Sequence, residues 1–482
     1  MPAGDTTITG VHHDSRRVTP GGVFVCLPGL TRDGHEFAFR AREAGAALII
    51  GERESIPSVQ PYLQVDDGRK ALALLAAAWC EHPSRRLQAI GVTGTNGKSS
   101  VTWMIESICR AAGKSGAVMG TLGVGRPGAL KPQPFTTPEA TEFQAELAAL
   151  VDAGVEVAAI EVSSHGLELR RTYGTRFPIV VFTNLSQDHL DFHRTMEQYA
   201  AAKNRLFRSE ERGDPLVADA IVNGDDPFVE AIVRGSGDRI VRYGRSESAQ
   251  IRASYVRYGP NGLTVEVQFP GGAISIESRL RGAFQVDNLL AAFGAGWKLG
   301  IAPEVIARGL RDLAGVPGRM EPVEAGQEFS VVVDYAHTPD ALARALESLR
   351  PFTRGRLLLV FGCGGDRDRA KRAEMGKVAA AADLLVLTDD NPRTEDPDRI
   401  REEVRRGIPG TASLHEVPER DRAISMAIGL ARAGDTVLIA GKGHETVQIR
   451  GDRVVPFDDR EVARRALEQR RLLEESSGKG NA

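Results

Sequence analysis

Ala89-Ile90-Gly91-Val92-Thr93-Gly94-Thr95-Asn96-Gly97-Lys98-Ser99-Ser100 is the stretch that decides the fold. An apolar strand runs into a glycine-rich turn, then Lys-Ser, then a helical pattern over 99–112. Glycines let backbone N–H groups converge on phosphates, and a helix N-terminus adds positive potential. Lysine reaches the terminal phosphates, and a serine hydroxyl can ligate Mg²⁺. The strict G-x-x-x-x-G-K-[ST] spacing is not met, since Gly91 stands one residue too early and Gly94 two too late. An ordinary glycine-rich βα turn is the plain alternative, but it needs neither Lys98 nor the hydroxyl of Ser99.

Outward from this loop the chain alternates β and α. Strands are expected at 87–92, 157–162, 179–184 and 220–222, with a helix at 196–207. Upstream, 1–82 mixes strand-like runs (22–27, 46–50) with helical patterns (36–44, 69–79) and ends at a linker signal, His82-Pro83-Ser84. Downstream, 263–269 and 273–280 alternate in short segments, pointing to an antiparallel hairpin or edge. A helix at 287–299 and a second linker, Gly315-Val316-Pro317-Gly318, follow. Beyond it, strands at 330–334, 356–361, 384–388 and 436–440 alternate with helices at 340–349, 371–382, 399–406 and 419–433. A charged helix at 460–475 precedes a tail, 476–482, expected to fray. Three domains result, 1–86, 87–316 and 317–482. Apolar runs separated by helices imply parallel sheets covered on both faces.

Composition narrows the function. A length of 482 residues suggests about three domains. Sixty-one Lys+Arg against 64 Asp+Glu is too balanced for a dedicated nucleic-acid or anionic-membrane binder. The longest apolar run, 71–80, is ten residues and too short to span a bilayer. MPAGDTTITG carries no basic or apolar leader pattern, so no secretory signal is expected. Cys26, Cys80, Cys109 and Cys363 lack C-x-x-C spacing, which argues against a disulfide scaffold or a cysteine zinc site and suits a reducing cytosol. Only ten of the 61 basic residues are lysine. Where arginine is the default cation, each lysine raises the question of whether its position needs a compact ammonium or a nucleophilic amine. Three of the ten, Lys98, Lys203 and Lys442, fall inside motifs.

Gly91-x-x-Gly94-Thr95-Asn96-Gly97-Lys98-Ser99 resembles the ATP loop of the Mur ligases, the ATP-dependent amino-acid-adding enzymes of peptidoglycan synthesis, and of their folylpolyglutamate synthase relatives. Asp14-Ser15-Arg16 with Gly22-Val23-Phe24-Val25 resembles the family's N-terminal uridine-nucleotide-binding start. Glu161-Val162-Ser163-Ser164-His165-Gly166-Leu167 and Asn184-Leu185-Ser186-Gln187-Asp188-His189 resemble its central motifs. Asp334-Tyr335-Ala336-His337-Thr338-Pro339 and Gly362-Cys363-Gly364-Gly365-Asp366-Arg367 fit its C-terminal domain. Asp390-Asn391-Pro392-Arg393 resembles the signature of members that add meso-diaminopimelate, although alone it reads as an Asx/Pro turn with an exposed arginine. The matches run from residue 14 to about 458.

The resemblance implies an α/β fold. A central P-loop-type parallel-sheet ATPase domain would be flanked by an N-terminal α/β substrate domain and a C-terminal Rossmann-like α/β domain. It implies ATP binding by Gly94, Thr95, Asn96, Gly97, Lys98, Ser99 and Ser100, with Asn288, Arg319 and Asp334 from later motifs and Tyr335 beside the hinge. Ser99, Glu161, His189 and a carbamylated Lys203 would hold Mg²⁺, with two ions expected, and Lys98, Lys203, His189 and Glu161 would be the catalytic set. Glu161 and His189 follow apolar strands, where side chains point to the ligand crevice. The plain readings are a surface carboxylate and a capping histidine. Three alanines precede Lys203, so its stem can lie on a packed face; the plain reading is a solvated helix lysine. UDP-MurNAc-L-Ala-D-Glu would meet Ser15, Thr31, Arg32, Thr136, Thr137, Ser163 and Arg171. A helix N-cap is the other reading of Thr136-Thr137. Meso-diaminopimelate would meet Arg367, Asp390, Asn391, Pro392, Arg393, Gly441 and Glu445. Gln285 and Leu169 depart from the family pattern.

The implied reaction is amide formation through an acyl phosphate, by a cytoplasmic monomer without nucleic-acid or membrane partners. A lysine-adding or folylpolyglutamate-synthase-like ligase is the alternative, and Asp14-Ser15-Arg16 speaks against the latter. A transport or switch ATPase would leave Lys203 and the Arg and Glu strand ends unexplained.

Overall fold

The computed structural model describes residues 7–29, 32–259 and 262–478. The chain divides into two compact units. The first runs through the described residues up to Arg252 and includes Phe269–Gly271 and Leu290–Gly309. The second comprises the described residues of 253–268, Gly272–Leu289 and those from Leu310 onward.

The first unit opens with a four-stranded parallel sheet, in the order β1 (Val11–His12), β2 (Val23–Val25), β3 (Leu48–Gly51), β4 (Tyr62–Gln64). Phe24, Cys26 and Ile49 pack on one face beneath the helix Ala38–Glu43. Val23, Val25 and Ile50 pack on the other, against Leu72 and Ala73 of the helix Gly68–Trp79. That helix is capped by Asp67, whose carboxylate accepts from Lys70 N–H at 2.9 Å.

A second sheet carries the glycine-rich loop. Its strands are β5 (Gln88–Thr93), β6 (Gly116–Gly120), β7 (Gly123–Gly125), β8 (Val157–Glu161), β9 (Ile179–Phe182), β10 (Asp219–Asn223) and β11 (Arg239–Gly244). They are ordered β11-β10-β9-β5-β8-β6-β7, parallel throughout except for β6 against β7. β5 is central, and its Ala89, Ile90 and Val92 are wholly buried. Continuous apolar runs of this kind are what a sheet covered on both faces requires. The edge pair β6–β7 and the helix Ala140–Asp152 lie outside the elements expected from sequence. The expected helix 196–207 is an α-helix, Met196–Asn204, that tightens into a 3₁₀ turn, Arg205–Phe207.

Strands β12 (Ile251–Gly259), β13 (Gly262–Phe269) and β14 (Gly272–Ser278) follow as neighbours in sequence order, where the short alternating segments placed a hairpin. The second unit's own sheet has the order β15-β16-β20-β17-β18-β19. Its strands are β15 (Glu321–Pro322), β16 (Ser330–Asp334), β17 (Leu357–Phe361), β18 (Leu384–Leu387), β19 (Leu414–Glu416) and β20 (Thr436–Ala440). All neighbours are parallel except β15 with β16. Helices cover both faces. Leu342 and Leu346 of Pro339–Leu349 pack on one, and Ile424 and Ile428 of Arg420–Leu430 on the other. The antiparallel pair β21 (Val447–Arg450) and β22 (Arg453–Pro456) follows β20. The last helix, Asp459–Gly478, extends three residues past the expected end at 475, and 479–482 lie outside the described residues. Among the described residues no helix is long and apolar enough to cross a membrane.

Candidate active site

β5 delivers the chain into the loop at Gly94, whose φ of +151° and contact with Thr183 Oγ1 exclude a side chain. Gly97, at φ +84°, opens the helix Lys98–Ala111. Lys98 Nζ donates to Gly94 O at 2.9 Å and Thr95 O at 2.8 Å. Lys203 Nζ donates to the same Gly94 O at 2.9 Å. Two lysine side chains therefore converge on one carbonyl. Lys203 is only 1% exposed, so the solvated-lysine reading does not hold. Burial, with the nearby Lys98 charge, holds its amine well below the ordinary lysine pKa. The Asn184–His189 motif straps the loop: Asn96 N–H donates to Asn184 Oδ1 at 3.0 Å, and Thr95 Oγ1 donates to Ser186 O at 3.2 Å. Ser99 and Ser100 are buried at the helix start.

Tyr199 joins these groups. Its hydroxyl lies 3.2 Å from Thr95 Oγ1, its ring 4.4 Å beneath Lys203 Nζ, and its centroid 6.1 Å from the His189 ring. His189 occupies the N-cap position of Leu190–His193 at φ +54°, but its side chain makes no capping bond. Its ring stands edge-on to His165 at 4.9 Å.

Glu161 ends β8 beside β5, with Val92 as its cross-strand partner. Its carboxylate is 2% exposed, which removes the surface reading. It accepts from Thr121 N–H at 3.0 Å and Thr121 Oγ1 at 3.1 Å. Gly120 leaves the space that this carboxylate fills. Thr121 Oγ1 lies 3.0 Å from Thr136 Oγ1. Thr137 is not a helix cap: the next helix starts after Glu139. Its hydroxyl instead donates to Glu161 O and accepts from Ser163 N–H, each at 3.0 Å. Arg171 donates to Thr137 O at 2.9 Å and to Glu139 at 2.8 Å. The structure thus gathers Glu161, Thr136, Thr137, Ser163 and Arg171. Ser15 is buried and Arg32 is exposed, and among the described residues neither bonds to that cluster; Thr31 lies outside the described residues.

In the second unit, Asp334 ends β16 and accepts from Met320 N–H at 2.8 Å and Ala336 N–H at 2.9 Å. Burial raises its carboxyl pKa against the opposing pull of Arg319. The Arg319 guanidinium lies 4.9 Å over the Tyr335 ring, and His444 packs on that ring at 4.9 Å. Asn288 Nδ2 donates to Oε1 of the buried Gln285 at 2.9 Å, so the longer Gln285 side chain spends its oxygen on Asn288.

The carboxyl ends of β17, β18 and β20 bring the remaining residues together. Asn391 Nδ2 donates to Glu445 Oε2 at 2.8 Å. Arg393 is half-buried at φ +52°, and its guanidinium donates to Gly365 O at 2.8 Å, so it is not the exposed arginine of a simple turn. Asp390 is buried, and Gly441, at φ +119°, lets the chain pass against its carboxylate. Arg367 is exposed and, among the described residues, its side chain bonds only to Asp366 O, at 3.3 Å.

Tyr199, Thr121, Gly120 and His444 were not singled out from sequence. Only Tyr199 carried a local signal, its i,i+4 spacing from Lys203. Among the described residues no group of three or more His, Cys, Asp or Glu is arranged to hold a metal.

Known proteins resemble this chain over its length. The model for the Mur ligase family, catalytic domain, matches residues 7–79; the Mur ligase middle domain matches 92–296; and the Mur ligase, glutamate ligase domain, matches 318–443. The UDP-N-acetylmuramoyl-L-alanyl-D-glutamate–2,6-diaminopimelate ligase of Geobacillus thermodenitrificans (strain NG80-2) is 45% identical over 475 residues, 97% of this chain and 96% of that protein. A ligase of the same name from Gloeobacter violaceus (strain ATCC 29082 / PCC 7421) is 46% identical over 471 residues, 97% and 95% of the two chains. A solved structure of an enzyme of that name aligns with a TM-score of 0.72 at 35% identity, covering 96% of this chain and 95% of that one. The MurF ligase of Thermotoga maritima in complex with ADP, at 19% identity and a TM-score of 0.61 over 95% and 98% of the chains, shares the fold. The chain belongs to the Mur ligase family.

Proposed function

We propose that the protein is an ATP-dependent amide ligase that adds meso-2,6-diaminopimelate to UDP-MurNAc-L-Ala-D-Glu through an acyl phosphate, in peptidoglycan precursor synthesis. The carrying observation is the strand-end set Asn391, Arg393 and Glu445, in a chain 45% identical to a ligase named for that amino acid. The substrate carboxylate attacks the γ-phosphate of ATP, releasing ADP. The incoming amine then attacks the acyl carbon, expels phosphate and loses a proton. Lys98 offsets charge on the transferring phosphoryl group, and loop N–H groups hold the phosphates. Thr136, Thr137, Ser163 and Arg171 bind the nucleotide-sugar peptide, with Ser15, Thr31 and Arg32. Arg393 and Arg367 pair with carboxylates and Glu445 with an ammonium. Asn288, Arg319 and Asp334 serve the nucleotide.

The family implies Mg²⁺. Glu161 supports the fit: a carboxylate buried at 2% exposure, bonded to neutral donors and paired with no basic side chain among the described residues, suits a hard cation. Ser99, Glu161, His189 and Lys203 as a carbamate would hold it, and bound Mg²⁺ would neutralise phosphate charge. A low amine pKa leaves Lys203 free of its proton to add CO₂, which yields the carbamate and a proton. We further take the domains as 1–86, 87–316 and 317–482, and the protein as a cytoplasmic monomer serving cell-wall growth and division. Phosphate release from ATP should require the nucleotide-sugar dipeptide and diaminopimelate together. Release at full rate with ATP alone would contradict the ligase reading.

A further inference from the structure

Lys442 has no task in the reading above, yet it is fully buried on the turn between β20 and β21. Its Nζ donates to Asn391 Oδ1 and to Glu445 Oε2, both at 3.0 Å. Asn391 Nδ2 donates to the same Glu445 oxygen at 2.8 Å, and Asn391 Oδ1 also accepts from Ile449 N–H at 3.0 Å. Three side chains thus close a ring. Asn391 Oδ1 is committed to two donors, which turns its NH₂ toward Glu445. Glu445 Oε2 is likewise held by two donors, while Oε1 accepts no hydrogen bond among the described residues. An ammonium suits this place: it is compact, and its three donors are not confined to a plane. A guanidinium would need more room on a turn whose Gly441 and Gly443 already pack against Asp390 and Tyr335.

We infer that Lys442 is the positioning residue of the amino-acid site, fixing the Asn391 amide and the Glu445 carboxylate so that Glu445 Oε1 meets the ammonium of the incoming amino acid. This rests on the assignment of Asn391 and Glu445 to that amino acid. Glu445 is faced by Lys442 and His444 from its own turn and by Asp390, Arg420 and Tyr335 from other elements. Its carboxyl pKa lies below the usual value despite burial, with the Lys442 charge the largest of the causes that lower it. Removing that charge raises the pKa, so the carboxylate protonates at higher pH.

The test is steady-state kinetics of the full chain with each substrate varied in turn. Lys442→Met should raise KM for diaminopimelate by about ten- to a hundredfold, the loss expected for a charge-assisted hydrogen bond. KM for ATP and for the nucleotide sugar should stay unchanged, and the acid limb of kcat/KM for diaminopimelate should move to higher pH. Lys442→Gln, which keeps a donor, should recover part of the affinity without restoring the acid limb. Unchanged KM for diaminopimelate in both variants would overturn the inference. So would an equal loss for all three substrates, or failure of both variants to fold, since each marks a merely structural lysine. Glu445→Gln run in parallel separates the cases: if it leaves KM for diaminopimelate unchanged, the assignment of the site itself fails.

Discussion

Lys203 sets an amine 1% exposed against the carbonyl of Gly94, 4.4 Å above an aromatic ring. A protonated lysine is costly there, whereas a carbamate carries oxygens that suit a cation. Lys203→Ala should lower turnover by about 10²–10³-fold, the scale of losing one preorganised electrostatic group. Added formate or acetate should restore part of it by occupying the vacated oxygen site. An intact-mass measurement finding unmodified Lys203 in fully active enzyme would contradict the carbamate. The sequence pointed to this lysine through its match to the family motif, supported by the scarcity of lysine in the chain and the three alanines that precede it. It could not point to the role of Thr137. Thr-Pro-Glu is good helix-cap chemistry. Its hydroxyl, however, bonds to residues 24 and 26 positions further along the chain, contacts that local pattern does not encode. The same holds for Asn391 and Glu445, 54 positions apart.

Among the elements, the terminal helix Asp459–Gly478 is tied down by one buried ion pair. Arg420 donates to both Asp459 oxygens at 2.7 Å and to Ala440 O at 2.9 Å, with both charged side chains wholly buried. Removing only one partner leaves an uncompensated buried charge. Asp459→Ala should therefore cost about 3–5 kcal/mol, seen as a lower urea midpoint, while Arg420→Met with Asp459→Leu should recover most of it. A midpoint unchanged in Asp459→Ala would show that the pair does not anchor the helix. Elements with long apolar runs, such as β17 and β20, were legible in the sequence because burial on both faces demands such runs. The short strands β1, β4, β6 and β7 were not: they are two to five residues long, and β6 and β7 begin and end in glycine, so neither length nor alternation marks them.

Across the whole molecule, burial raises the pKa of the cysteine thiols, most for the three that are buried. The Cys26, Cys109 and Cys363 thiols are pushed up to about 12, and that of the half-buried Cys80 is also raised. A thiol reagent at neutral pH should leave Cys26, Cys109 and Cys363 unmodified in the native chain and label all four cysteines after unfolding; rapid native labelling of Cys363 would contradict this. The central claim concerns which amino acid the molecule adds. Diaminopimelate differs from lysine by a distal carboxylate, which a guanidinium such as that of Arg393 can take through two charge-assisted hydrogen bonds. Sites built for a polar group reject the analogue lacking it by about 10⁴–10⁵. The deciding measurement is ATP-dependent tripeptide formation on UDP-MurNAc-L-Ala-D-Glu, followed by mass spectrometry, with meso-diaminopimelate and L-lysine at equal concentration. Product carrying diaminopimelate almost alone, and a loss of that product in Arg393→Ala, is the expected result. Equal incorporation of L-lysine would contradict it.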